Sequence, residues 1–328
     1  DPFLNNLIFV KRVLKLPIIG PSFNIFYHIL LPLAYFRDRL KAVFFPSFML
    51  PAFFLGKSLV VMTNDVHYEY TEGQLPFRYK LGYSLFANWA AWRATHISAY
   101  SHYARNELLK IYGVKPERIS VNYLGLGLQG HPVQGGPVQG GPVGDNYLLY
   151  AGQAFPRRRA KETIEAFSIL APKHPHLKLV VVGQDKYNPP ILEKLVKETN
   201  QKLGEERIIY HSYIQKDEEL QKLISGAKLF IYLSSSEAFG IPPLEALAAG
   251  VPPVVKENDL NRELYEGNAF YVENEKKPAE IANVLEKAIN DTNRQKEIVQ
   301  NSEKIIAKLS WHKHMEKFLE TIRKITHD

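Results

Sequence analysis

The chain has 328 residues, 45% of them hydrophobic and 23% charged, and a formal net charge of +7, a composition that fits a globular protein of about two domains and excludes a disordered or fibrous one. It contains no cysteine, which excludes disulfides, thiolate metal sites and cysteine nucleophiles and fits a reducing compartment. No segment offers the roughly 20 uninterrupted apolar residues that a bilayer span needs.

The positive charge sits at the start. Residues 1–128 carry 14 Lys/Arg against 7 Asp/Glu, while residues 129–328 carry 27 against 27; 24 of the 39 aromatic residues also lie in the first part. Basic and aromatic residues together suit an anionic membrane surface, an anionic acceptor or a nucleic acid, or else a solvated cationic face over an aromatic core. No nucleic-acid recognition motif accompanies them, so no nucleic-acid partner is expected. The opening Asp1-Pro2-Phe3-Leu4 shows no basic stretch ahead of an apolar one and hence no secretory signal; the expected location is cytoplasmic, with any membrane contact peripheral and at the inner face.

Within residues 1–58, Lys11-Arg12-Val13-Leu14-Lys15 and residues 24–40 read as helices broken near Pro17, Pro21 and Pro32, and Ala42-Val43-Phe44-Phe45 as a strand. Leu59-Val60-Val61-Met62 is a buried strand whose carboxyl end delivers Thr63-Asn64-Asp65-Val66-His67 to the edge of the sheet. Residues 77–95 have helical spacing, His96-Ile97-Ser98-Ala99-Tyr100 is the next strand, and Ser101 is placed to cap the helix that follows. Residues 114–121 complete this domain. From residue 129 to 144 the chain is Gly, Pro, Val and Gln apart from His131, with Pro-Val-Gln-Gly-Gly repeated. Nothing there builds a core, so residues 129–144 are expected to link a first domain (1–128) to a second (145–311).

The second domain opens with the strand Tyr147-Leu148-Leu149-Tyr150-Ala151-Gly152, a loop to Arg159 and a helix from Lys161. Arg157, Arg158 and Arg159 therefore stand at a strand's carboxyl end, where guanidinium groups meet a diphosphate with permanent charge and bidentate geometry. Residues 177–182 form a strand leading to Lys186, a second candidate for the phosphates; residues 208–210 form another, leading to Ser212, Tyr213 and Ile214. After a helix over 216–227, the apolar run 229–233 leads into Ser234-Ser235-Ser236-Glu237-Ala238-Phe239-Gly240-Ile241-Pro242-Pro243-Leu244-Glu245-Ala246-Leu247-Ala248-Ala249-Gly250, and residues 251–255 are the next strand. This is the crossover of a βαβ unit, with its helix expected from about Pro243 to Ala249. A helix start at a strand's carboxyl end favours a phosphate. Glu237 and Glu245 would repel one, so they are read as acceptors for hydroxyls, as on a sugar and a ribose. That combination points to a nucleotide sugar. Residues 278–289, 294–309 and 311–325 are amphipathic helices, the last (312–328) expected to cross back to the first domain. His174/His176 and His312/His314, each spaced by two, read as surface histidines.

Glu237 and Glu245, with seven residues between them inside Ser-x-x-Glu-x-Phe-Gly-x-Pro-x-x-Glu-Ala-x-Ala-x-Gly, resemble the signature of retaining glycosyltransferase family 4, and the similarity runs from about residue 59 to 311. The resemblance implies an α/β protein of the GT-B type, two Rossmann-like domains facing each other across a cleft. It implies a nucleoside-diphosphate-sugar donor on the second domain, contacted by Arg157, Arg158, Lys186, Tyr213, Ile214, Glu245 and residues Ala238, Phe239, Gly240 and Ile241. The acceptor, a glycan or lipid-linked glycan, falls to the first domain. Glu237, Asp65 and Arg158 are the implied catalytic group; no metal or other cofactor is expected, and no Asp-x-Asp occurs in the chain. Asn64 stands where the family commonly has histidine, so Asp65 either orients an acceptor hydroxyl or caps the turn. Gln153 stands where the family has arginine after the glycine, and the usual opening strand, glycine-rich loop and helix is not found. A mannosyl donor is the favoured one. The alternatives are a non-catalytic member of the fold, or another GT-B enzyme such as a sugar-nucleotide epimerase or a phosphorylase.

Overall fold

The structure, a computed structural model, describes residues 23–71, 76–126 and 146–327. Residues 11–15 and the expected linker at 129–144 lie outside the described residues, and so does the side chain of Asp65.

Two parallel sheets organise the chain. The first holds β1 (Val43–Phe45), β2 (Ser58–Val61), β3 (His96–Ala99) and β4 (Ile119–Val121) in the order β1-β2-β3-β4. The second holds β5 (Tyr147–Ala151), β6 (Lys178–Val182), β7 (Ile208–His211), β8 (Leu229–Tyr232), β9 (Pro253–Lys256) and β10 (Phe270–Val272) in the order β10-β9-β8-β5-β6-β7. Every pairing is parallel. Parallel strands need helical crossovers that cover both faces, and the strands are correspondingly continuous apolar runs: β2, β3, β5 and β8 are buried throughout. Tyr150, Phe167, Leu179 and Leu285 belong to the core on one face of the second sheet, and Tyr147, Phe230 and Ala246 to that on the other.

The strand order fixes where a ligand sits. From β5 the chain moves outward to β6 and β7, then returns to lay β8 on the other side of β5, so the order reverses between β5 and β8. A reversal of this kind opens a crevice at the carboxyl ends of the two strands. The two loops that enter it follow β5 and β8, and they carry Arg158 and Glu237.

Three local features differ from the sequence expectation. Pro32 does not break its helix: the chain runs helically through Phe23–Ile25, a π turn at Phe26–Leu30 and Leu31–Arg37, with Pro32 in the first turn of the last piece, where a missing N–H is tolerated. The motif helix spans Ile241–Ala248 and so starts two residues early, because Gly240 takes the left-handed conformation (φ 86°, ψ 60°) that ends the loop. His314 is no surface histidine: its Nδ1 lies 2.8 Å from the Tyr123 carbonyl oxygen of the first domain.

That contact belongs to a seam joining the domains. The Asn122 amide donates to the His314 carbonyl at 3.1 Å, Phe318 of the helix Trp311–His327 meets Phe44 of β1 edge-on, and the Leu126 N–H donates to the Leu309 carbonyl at 2.8 Å. At the other end, the Glu263 carboxylate accepts the backbone N–H groups of His102 and Tyr103 at 2.7 Å each. These are free donors at the start of the helix His102–Tyr112, so a carboxylate satisfies both their hydrogen bonds and the helix dipole. The Tyr123 hydroxyl donates to the same carboxylate at 2.7 Å.

Candidate active site

Glu237 lies on the loop after β8, held against the loop after β5. Its Oε1 accepts from Arg158 Nε at 2.7 Å, Ser234 Oγ at 2.9 Å and the Tyr232 hydroxyl at 2.9 Å. Tyr232 is the last residue of β8 and Ser234 lies two residues on in the loop, so the strand and its immediate exit deliver two of the three donors. Burial and the adjacent Glu237 carboxylate both raise the Tyr232 hydroxyl, which stays protonated and donating. Burial works against the charge on Arg158, but the Glu237 carboxylate outweighs it and holds the guanidinium protonated. With three donors on one oxygen, Glu237 is fixed in rotamer, and its second oxygen takes only a 3.4 Å contact from Arg158.

The loop after β5 divides the arginines. Arg158 also donates to the Gln153 carbonyl at 3.3 Å and faces the crevice. Arg157, expected beside it on the diphosphate, is instead 8% exposed, packed over the Phe155 ring, and donates through Nε to the Ser236 carbonyl at 3.2 Å. Its backbone carbonyl accepts from the Ser235 N–H at 2.9 Å. A short 3₁₀ turn over Pro156–Arg158 alternates the side chains, and Arg157 lands on the side that braces the Ser235–Ser236 backbone. Arg159 turns a third way, reaching Ser235 Oγ at 3.1 Å, Glu162 at 3.4 Å and Glu275 at 3.5 Å. Burial would raise the Glu275 carboxyl, yet Lys256 at 3.0 Å and Arg159 hold it below the usual carboxylate range.

Beyond Glu237 the loop closes onto the first domain: the Ala238 carbonyl accepts from Ser101 Oγ at 3.1 Å. Ser101 also caps its own helix, accepting from the Ala104 N–H at 2.9 Å. Phe239 is buried against Tyr123, with ring centroids 6.0 Å apart. Pro242 and Pro243 carry no N–H, so Gly240 and Ile241 supply the amides that the first turn of the helix leaves without an intrahelical acceptor. One turn on, Glu245 is half-buried and makes no side-chain hydrogen bond among the described residues. Burial alone lifts its carboxyl above the usual range.

Lys186 and the turn after β7 lie on the β6–β7 side. The Lys186 N–H donates to the Ala154 carbonyl at 3.2 Å, which ties its loop to the arginine loop. Tyr213 is 75% exposed, while Ile214 packs against the core beneath. On the β9–β10 side, a cavity of about 360 Å³ runs between the domains. Its walls include Ser235, Ser236, Arg159 and Lys256 from the second domain and Asn64, His67 and Tyr103 from the first. Asn64 is 5% exposed and its Oδ1 has no partner among the described residues, leaving a buried acceptor beside the cavity. Asp65 opens the helix Asp65–Thr71 at this point. A larger hollow, about 860 Å³, runs along the edge of β7 and contains none of the motif residues.

Sequence reasoning did not foresee Tyr232, Lys256 or Glu275, nor that Ser101 would reach Ala238 and Ser234 would hold Glu237. Tyr232 and Lys256 end their strands, a position that itself signals access to the crevice. Ser101 and Ala238 are 137 residues apart, and no local pattern links them. Among the described residues no three His, Asp or Glu side chains group to hold a metal ion, and no helix is long and apolar enough to cross a membrane.

The family described as glycosyl transferases group 1 matches residues 137–305. The O-antigen chain mannosyltransferase RfbU of Salmonella typhimurium is 25% identical over 180 residues, 55% of this chain and 47% of that protein. The chain spans about half the length, or less, of the curated relatives it matches. Among solved structures, WaaG, a glycosyltransferase involved in lipopolysaccharide biosynthesis, superposes with a TM-score of 0.68 at 19% identity, covering 94% of this chain and 86% of that one. Anabaena Alr3699/HepE in complex with UDP-glucose gives a TM-score of 0.67 at 17% identity, covering 90% and 76%. The fold is of the GT-B type, two Rossmann-like domains with parallel sheets.

Proposed function

Because the chain belongs to the glycosyl transferases group 1 family, we propose that it moves a hexosyl group, mannosyl by preference, from a nucleoside-diphosphate sugar to a glycan or lipid-linked acceptor, working at the inner face of a membrane. The observation that carries this is the Arg158–Glu237 pair, which joins the loops after β5 and β8 where the strand order reverses, next to the helix that starts after Gly240. The mannosyl preference is supported by the O-antigen mannosyltransferase relative.

In this reading the diphosphate lies over the amides of the helix start, with Arg158 meeting the charge that grows on the departing phosphate oxygen. Lys186 is a further cation for it. Glu245, whose side chain has no hydrogen-bond partner among the described residues, accepts the ribose hydroxyls; the turn at Tyr213 and Ile214 edges the base. Glu237, fixed by three donors on Oε1, offers Oε2 to the donor sugar. Arg157 acts one step back, holding the Ser236 carbonyl and so the loop that carries Glu237. Ala238 and Phe239 set the loop against the first domain. The bond broken joins the sugar C1 to the diphosphate oxygen, the bond formed joins C1 to an acceptor oxygen, and the acceptor hydroxyl releases a proton. Asp65, which opens the helix Asp65–Thr71, is assigned to the acceptor side. Retention of configuration follows the resemblance to family 4. Arg158 and the amides meet the diphosphate charge, so no metal is needed; EDTA should leave the rate unchanged.

The test is a thermal-shift panel of nucleoside diphosphates and their sugars, followed by transfer from whichever donor stabilises the protein. At least one should raise the melting temperature and be turned over. Failure of both GDP and UDP sugars to stabilise it would refute the reading, and binding without transfer or hydrolysis would favour a non-catalytic member of the family.

A further inference from the structure

The first domain exposes apolar side chains in an ordered arrangement. On the helical run 23–37, Phe26, Ile29, Leu33 and Phe36 are exposed, at spacings of three, four and three residues that place them on one face. On the helix Phe77–Arg93, Phe77, Leu81, Leu85 and Trp92 do the same, with Leu85 62% and Trp92 70% exposed. Between the two helices runs the loop 46–57, whose Phe53 and Leu55 are 68% and 65% exposed.

These three elements form one surface. The loop is held to the first helical run by the Ala52 N–H donating to His28 Nδ1 at 3.1 Å, and to the second helix by Trp89 Nε1 donating to the Pro51 carbonyl at 3.2 Å and by Arg93 to the Leu55 carbonyl. His28 stacks on Phe86 with ring centroids 5.6 Å apart. Isolated exposed apolar residues are ordinary, but a contiguous field of them drawn from three packed elements marks an interaction surface.

The charges name the partner. Residues 23–57 and 76–93 contain seven Lys/Arg (Arg37, Arg39, Lys41, Lys57, Arg78, Lys80, Arg93) and a single acid, Asp38, which already pairs with Arg37 at 2.8 Å. Arg37, Arg39 and Lys41 follow the end of the first apolar stripe, and Arg78 and Lys80 flank the start of the second. Apolar stripes with cationic flanks match the boundary between the phosphates and acyl chains of an anionic bilayer.

We infer that this face docks the protein on an anionic lipid bilayer, with Leu33, Phe53, Leu85 and Trp92 entering the headgroup boundary and the arginines and lysines meeting lipid phosphates. The inference stands apart from sugar transfer, because vesicle binding is measured without donor or acceptor. The full chain should float with vesicles of phosphatidylcholine and phosphatidylglycerol in equal parts, bind vesicles of phosphatidylcholine alone at least about tenfold more weakly, and lose binding as salt rises. A variant with Leu33→Ser, Phe53→Ser, Leu85→Ser and Trp92→Ser should keep its melting temperature and lose flotation by about tenfold or more. Trp92 emission, isolated by difference against Trp92→Phe, should be quenched by acrylamide in the free protein and protected by anionic vesicles. Any of three results would overturn the inference: no flotation of the full chain, flotation unchanged in the folded quadruple variant, or Trp92 already shielded without lipid. In the last case a concentration-dependent mass would identify a second copy as the cover.

Discussion

At the scale of single residues, the site depends on how charge is distributed around Glu237. Arg158 supplies one of three donors to its Oε1, so removing Arg158 leaves the carboxylate held by Tyr232 and Ser234 while stripping the positive charge from the departing diphosphate. Arg158→Ala should therefore fold and lower kcat by roughly 10²–10³, the effect of deleting one preorganised stabilising group; steady-state kinetics checks it. Arg157→Ala should act through structure instead, releasing the Ser236 carbonyl and lowering the melting temperature along with the rate. Glu245 makes a pH prediction. Burial raises its carboxyl, so the folded chain holds that proton more tightly than the unfolded one. In the interval between the ordinary and the raised value, rising pH ionises Glu245 at the expense of fold stability. The ribose hydroxyls donate to the ionised form, so donor affinity should climb across the same interval, by up to about tenfold per pH unit. Titration calorimetry should show that slope in the wild type and none in Glu245→Gln; a flat wild-type profile would count against the assignment.

At the scale of elements, the second domain was legible because its strands are apolar runs, the first two of them followed directly by glycine, Gly152 and Gly183. Gly183 shows why that glycine matters: its φ of 146° is one that residues with a side chain rarely adopt, and a Cβ there would overlap the Gly152 carbonyl oxygen. Gly183→Ala should destabilise the protein by about 1–3 kcal/mol, read as a lower melting temperature. Local pattern also located Ser101 as a helix cap and the motif helix to within two residues. It misplaced Arg157, because all three arginines look alike in sequence and only the 3₁₀ turn decides which one faces inward. It read residues 24–40 as broken at Pro32, because a π turn that absorbs the missing N–H leaves no sequence signature. Tyr232, Lys256 and Glu275 were within reach of a rule that inspects the last residue of each buried strand and the loop beyond it.

At the scale of the whole molecule, the two domains meet on few polar contacts, and most were invisible in sequence because they join positions far apart. Glu263 is the strongest of them, with three donors from the first domain at 2.7 Å. Glu263→Ala should weaken the seam by at least about 2 kcal/mol, since hydrogen bonds to a charged group carry more than neutral ones, and calorimetry should then resolve two unfolding transitions in place of one. The Ser101 to Ala238 bond ties the same seam to the Glu237 loop, so the Glu263 variant should also raise the KM for donor. The central claim remains the crevice between β5 and β8, and the most direct measurement compares donor binding with donor turnover in Glu237→Gln. The account predicts binding within a few-fold of wild type and transfer reduced by roughly 10²–10³. Full activity in that variant, or wild-type protein that binds no nucleoside-diphosphate sugar, would contradict it.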